Sequence, residues 1–247
     1  MAELWISPEW QAPPATSTTI VFVHGAVVNG WEMVLLRFRL RQLGYKTRLF
    51  QYHSMTVGLD ENVKRLKTFI TQTEGDVVHV IGHSMGGVLT RLAFERDPDP
   101  RPGRLIAVGS PFLDCWIGHR VICWGDWCSS LLGRTVYDHI RRSRDPVWRG
   151  GRDLGVLAGT YPFGIGRVFP DLPKPSDGVV LWEETRLQGL KDHVTYRINH
   201  FGLLLSQRCT AQMACFLATG AFAQLGSELV NLQPLHSHDL APSTASG

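Results

Sequence analysis

The chain has 247 residues, 44% of them hydrophobic and 19% charged, with a net charge of +3 at pH 7. That length and apolar content suit one α/β domain with a sizeable core, and the charge excess is too small and scattered to imply a nucleic-acid partner. Five cysteines (Cys115, Cys123, Cys128, Cys209 and Cys215) form an odd set without a secreted disulfide pattern, and no Cys/His pair near Cys123 and Cys128 completes a zinc site. No run approaches the roughly 18 apolar residues of a membrane span, and Met1-Ala2-Glu3-Leu4-Trp5 lacks a basic segment followed by an apolar core. These features give the expectation of a cytoplasmic protein.

Residues 1–17 are Pro-rich, with Glu3-Leu4-Trp5-Ile6 as a candidate short edge strand. Thr18 to Val23 is β-branched and apolar on both faces, as a buried parallel strand should be. It ends in His24-Gly25. A helix is expected from Trp31 to Leu43, with Met33, Leu36, Leu40 and Leu43 spaced by three and four and Gly44 placed to stop it. Lys46 to Tyr52 reads as a strand and Asp60 to Gln72 as a helix. A third strand over 76–82 runs into Gly82-His83-Ser84-Met85-Gly86-Gly87, and a helix follows at once. Arg104 to Gly109 is a fourth strand, ending in Gly109-Ser110-Pro111.

This alternation argues for a parallel sheet with right-handed crossovers and helices on both faces. Reactive groups in such sheets gather beyond the carboxyl ends of the strands. His24-Gly25, Ser84 and Ser110-Pro111 all fall there. From Phe112 to Trp148 the rhythm breaks, and the segment reads as a helical cap inserted above Ser84. Asp153 to Ala158 and Val194 to Asn199 are a fifth and a sixth strand, the latter ending at His200; the last helix covers Ser206 to Thr219. The tail, 236–247, is Ser/Ala/His/Pro-rich, a composition that favours disorder.

The stretch around Ser84 matches G-x-S-x-G between a strand and a helix, the context this nucleophile turn requires. Glycines at 82 and 86 remove Cβ atoms from a sharp bend, and the helix start offers free N–H groups and a positive dipole end. A serine hydroxyl needs a base, and the base needs a third group to orient it. Asp177 and His200 follow Ser84 in the order Ser…Asp…His, distinct from the trypsin-like and subtilisin-like orders.

His24-Gly25, the Ser84 turn, Gly109-Ser110-Pro111, Ser176-Asp177-Gly178-Val179-Val180 and Asn199-His200 together resemble the α/β-hydrolase superfamily, over about residues 18–220. The likeness is nearest to bacterial lipases and to esterases similar to GPI inositol-deacylases. It implies an α/β-hydrolase fold: a mostly parallel sheet of six or more strands, one domain over 1–235 and a small cap at about 112–148. It also implies ester or thioester hydrolysis through an acyl-enzyme, with no metal or organic cofactor. Bulky Phe112-Leu113-Asp114-Cys115-Trp116 departs from the small residues expected after Ser110-Pro111.

His193 precedes the last strand and should lie at the opposite edge from His200; His83 is expected to pack rather than act as base. Asp171, among prolines, and Asp153, at a strand start, are weaker candidates than Asp177. The oxyanion hole is assigned to the N–H groups of Met85 and Ala26, with Val27 as the alternative. Trp116, Trp124, Trp127, Leu131 and Leu132, with Val27, are expected to line the substrate site. That apolar lining fits a small hydrophobic ester, or part of it rests transiently on lipid. An esterase or lipase is the leading reading. A thioesterase or acyltransferase using the same triad, and a non-catalytic binding protein on the same fold, are the alternatives.

Overall fold

The computed structural model describes residues 17–96, 99–125, 131–142 and 145–223. The possible strand at 3–6, Trp127 and the 236–247 tail lie outside the described residues. Six strands form one sheet: β1 (Thr18–Val23), β2 (Lys46–Phe50), β3 (Val77–His83), β4 (Leu105–Val108), β5 (Leu154–Gly159) and β6 (Asp192–Tyr196). Their order is β2-β1-β3-β4-β5-β6, with every neighbouring pair parallel.

Because successive side chains on a strand point to opposite faces, each strand feeds two cores. Val21, Val23, Val78, Val80, Leu105, Ala107, Leu154 and Val156 face one side, against α2 (Leu59–Thr71) and α3 (Met85–Arg96). Ile20, Phe22, Ile81, Ile106, Val108 and Leu157 face the other. There they meet α1 (Val34–Gln42), entered through a 3-10 turn at Trp31–Met33. Apolar runs without polar alternation are what a sheet covered on both faces needs.

The cap region supplies α4 (Trp116–Ile122) and α5 (Arg134–Ile140). α5 is not a detached roof. Its Val136 and Ile140 belong to the core shared with α2 and α3, and Asn62 Nδ2 donates to Thr135 Oγ1 at 2.9 Å. Two helices close the described chain, the short α6 (Gly202–Leu205) and α7 (Gln207–Thr219), with Ser206 Oγ capping α7 by accepting the Cys209 N–H. β6 starts two residues before the expected Val194 and ends at Tyr196, because the Ile198 N–H turns back onto Tyr196 O at 2.8 Å. No helix among the described residues is long and apolar enough to cross a membrane.

Candidate active site

β3 ends at His83 and α3 begins at Met85, so Ser84 alone makes the bend. Its φ is 53°, in the left-handed region that costs a side-chain-bearing residue of order 1–3 kcal/mol. The conformation is held on both sides: Ser84 N–H donates to Val108 O at 2.8 Å, and Ser84 O accepts from Gly87 N–H at 3.0 Å. A Cβ on residue 82 would come within 2.6 Å of Gly86 C, and one on residue 86 would overlap the carbonyl oxygens of Val23 and His24. Between residues 78 and 91, Ser84 is the one residue that is not buried.

His200 lies four residues past the end of β6, and its Nδ1 is 2.7 Å from Asp177 Oδ2, with both side chains buried. The other carboxylate oxygen, Oδ1, accepts the N–H groups of Val179 at 2.9 Å and Val180 at 2.8 Å. The main chains are joined as well, His200 N–H donating to Asp177 O at 3.0 Å. Since a carboxylate only accepts, the His200 proton is assigned to Nδ1, which leaves the Nε2 lone pair as the basic position.

Shared neighbours link this pair to the serine. A Cβ on Gly25 would sit 3.4 Å from Ser84 Cβ and 3.2 Å from His83 Nδ1, and the His83 ring centroid is 4.6 Å from that of His200. Among the described residues no hydrogen bond joins Ser84 Oγ to His200, a contact that in unliganded enzymes often tightens only with substrate. Burial holds the His83 pKa well below that of an ordinary imidazole, and the charge of His200 pushes the same way. His83 therefore packs beside His200 as an uncharged ring.

Met85 is the first residue of α3, so its N–H has no intrahelical acceptor. Of the two loop candidates, Val27 N–H is taken by Ser54 Oγ at 3.0 Å, while no acceptor among the described residues takes that of Ala26. Val27 itself has φ 64° and is 62% exposed at the rim. Among the described residues no group of three His, Cys, Asp or Glu side chains is arranged to hold a metal ion.

A model described as the alpha/beta hydrolase family matches residues 20–227. The chain belongs to the alpha/beta hydrolase family. Comparison with curated proteins gives no match. Among solved structures, the mature Bacillus licheniformis lipase BlEst2 is similar at 18% identity and TM-score 0.56, over 78% of this chain and 89% of that one. The chain spans 53% of the propeptide form of the same lipase. A metagenomic carboxyl esterase aligns at 17% identity and TM-score 0.59, over 83% and 75% of the two chains. A thioesterase, RedJ, from the prodiginine biosynthetic pathway in Streptomyces coelicolor, aligns at 14% and 0.54, over 87% and 93%. At these identities the likeness is one of fold.

In this alpha/beta hydrolase the competing acids and imidazoles are engaged elsewhere. Asp171 pairs with Arg120, and Asp153 lies 3.6 Å from Arg104. His193 sits in the first half of β6 with its Nε2 3.0 Å from Thr185 Oγ1, and burial lowers its pKa to about 4. The apolar lining is less concentrated than the sequence implies. Trp116 and Trp124 both pack on Phe169, at centroid distances of 5.9 and 5.1 Å, rather than on the His83 or His200 rings. Trp124 and Leu131 are exposed, and Trp127 lies outside the described residues.

Two buried carboxyls support the candidate site without having been picked out in the sequence. Glu32, 4% exposed, accepts the Gly25 N–H through Oε1 at 3.3 Å, and the same oxygen lies 3.9 Å from His83 Nδ1. Glu184 accepts the Trp116 N–H at 2.6 Å and the Leu181 N–H at 2.8 Å. It thereby ties the start of α4 to the loop that carries Asp177. In the sequence each is one acidic residue in a mixed run, and only the tertiary contacts place it inside. Gly109, which opens the Gly109-Ser110-Pro111 motif, packs against the Asp177–His200 pair. At φ 54°, a Cβ there would press to 3.0 Å against both Asp177 Oδ2 and His200 Nδ1.

Proposed function

We propose that the chain is a serine hydrolase cleaving carboxylic esters of hydrophobic small molecules. The observation that carries this reading is the 2.7 Å Asp177–His200 hydrogen bond at the sheet edge where Ser84 stands at a positive φ. Ser84 Oγ attacks the ester carbonyl while His200 Nε2 takes its proton, and Asp177 stabilises the imidazolium through Nδ1. The oxyanion is received by the N–H groups of Met85 and Ala26 at the positive end of α3. His200 then returns the proton to the leaving alcohol, so that the acyl group is left on Ser84. Water, activated by the same nitrogen, releases the acid and restores the serine. The strained turn and the preset donors lower the reorganisation needed at the moment of attack.

A fluorophosphonate probe, which phosphonylates activated serines, tests this directly. Labelling should fall on Ser84, and Ser84→Ala should abolish it and lower ester hydrolysis by a factor on the order of 10³ or more. A folded protein that leaves the probe unreacted would point instead to a binding protein on this scaffold. Turnover of p-nitrophenyl esters, acyl-CoA thioesters and triglyceride emulsions separates esterase from thioesterase and lipase.

A further inference from the structure

The helix that follows the oxyanion loop is apolar on two sides. Its inner residues, Met33, Leu36 and Leu40, are fully buried in the core. Its outer residues, Trp31, Val34, Leu35 and Phe38, follow the i, i+3, i+4, i+7 spacing of one helix face and are 38–66% exposed. A surface helix in a globular domain ordinarily turns polar residues outward here. The stripe continues onto the segment after His200: Arg39 donates to Leu205 O at 2.7 Å, and Leu205 and Phe201 are themselves exposed. Phe201 packs edge-on to His200 at 5.7 Å. The stripe therefore ends beside the proposed base.

Charge gives the stripe a partner. Arg37, Arg39 and Arg41 flank it, and residues 33–59 contain no Asp or Glu at all. Residues 193–223, which supply Phe201 and Leu205, contain none either and add Arg197 and Arg208. Glu32, the acidic residue at the start of the helix, points inward to Gly25. Long arginine side chains beside large apolar ones suit an interface where the apolar groups enter the acyl region and the guanidinium groups stay with phosphates. From Trp31 to Phe38 the stripe is about 12 Å long and about 10 Å wide, small against the roughly 800 Å² a side of a stable protein pair. It is ample for a helix lying in a headgroup layer.

We propose that the outer face of Trp31–Gln42, together with Phe201 and Leu205, is a docking surface for an anionic phospholipid bilayer. It sets the mouth of the Ser84 site against the lipid. This docking differs from the use of Trp116 and Trp124, whose rings are engaged with Phe169. It does not require that Ser84 be a nucleophile.

Flotation of the full chain with vesicles of phosphatidylcholine and phosphatidylglycerol, 3:1, tests it. The wild-type chain should float with these vesicles, much less with phosphatidylcholine alone, and Ser84→Ala should float like wild type. Leu35→Ser/Phe38→Ser should cut binding tenfold or more, with turnover of a soluble short-chain ester within twofold of wild type. Arg37→Gln/Arg41→Gln should remove the preference for the anionic vesicles. Absence of wild-type binding, or binding that Leu35→Ser/Phe38→Ser retains, overturns the proposal. So does light scattering that finds a wild-type dimer which this double variant converts to a monomer, since the face would then join two copies. Fluorophosphonate labelling of Ser84 is read separately, so failure of docking leaves the hydrolase reading standing.

Discussion

The Asp177 side chain accepts three hydrogen bonds, from the Val179 and Val180 N–H groups at Oδ1 and from His200 Nδ1–H at Oδ2. Asp177→Asn can keep the first two, and then its amide nitrogen faces His200 Nδ1. That nitrogen only donates, so the imidazole must present a lone pair at Nδ1 and carry its proton on Nε2, where it cannot serve as base. The expected outcome is a folded protein whose kcat on a soluble ester falls by a factor on the order of 10⁴. A loss under tenfold would remove Asp177 from the catalytic proposal. Gly109→Ala tests the same pair from its other side. The new methyl meets both partners at 3.0 Å at a positive φ, so activity should fall at least tenfold at the cost of about 1 kcal/mol or more in urea unfolding. At this scale Ser84, Asp177 and His200 were legible because a short motif and a chain order bring them to attention, and the Asp177–His200 pairing appears at hydrogen-bond distance. Glu32 and Glu184 were not legible. A glutamate near a helix start reads as a solvated charge, and only partners 7 residues away (Gly25) and 68 residues away (Trp116) reveal it as buried.

Among the elements, the loop carrying Asp177 and the start of α4 behave as one unit because Glu184 grips both. Its carbonyl also accepts the Phe112 N–H at 2.7 Å and the Leu113 N–H at 3.1 Å. Burial pushes the Glu184 carboxyl up to about 7, and the nearby charges of Asp114 and Asp177 add to the shift, while the Trp116 and Leu181 N–H groups oppose it. The folded protein therefore holds this proton more tightly than the unfolded chain does. The resulting stabilisation is complete below the ordinary glutamate value of 4.5 and fades as pH rises through about 7. The span corresponds to roughly 3 kcal/mol. Urea unfolding of wild type and Glu184→Gln at pH 5 and pH 8 checks the sign: wild type should lose about that much more stability than the variant between the two. Parallel pH dependences would show that Glu184 does not titrate in this window. The sequence placed strands and helices to within a few residues because apolar periodicity marks them. It read 112–148 as a helical cap insertion because that periodicity lapses there; the segment does hold α4 and α5, and Val136 and Ile140 of α5 join the core over α2 and α3.

Over the whole molecule, Ser84, Asp177 and His200 stand at one edge of the sheet, and the opposite edge is closed by arginine. Arg152, just before β5, donates to Val78 O at 2.6 Å and to Asp99 O at 3.2 Å, as well as to Arg101 O. Its Cζ lies 4.6 Å from the Phe94 ring centroid, and Asp99 Oδ1 is 3.4 Å from its Nη2. Burial lowers its pKa to about 10, still far enough above neutrality to keep the charge. That guanidinium satisfies carbonyls from β3 and from the segment ahead of β4, at the end of the strands opposite Ser84. Replacing it with alanine removes a donor from each of those carbonyls, while the Asp99 carboxylate keeps Arg101 at 2.7 Å, so Arg152→Ala should cost about 2–3 kcal/mol. Because the network sits at the far ends of β3 and β5, the surviving folded fraction should keep its full rate per fluorophosphonate-titrated site. Unfolding curves combined with active-site titration separate the two quantities. A stability loss accompanied by a matching fall in turnover per titrated site would mean that the two edges of the sheet are coupled. The scaffold would then be part of the site's positioning rather than only its support.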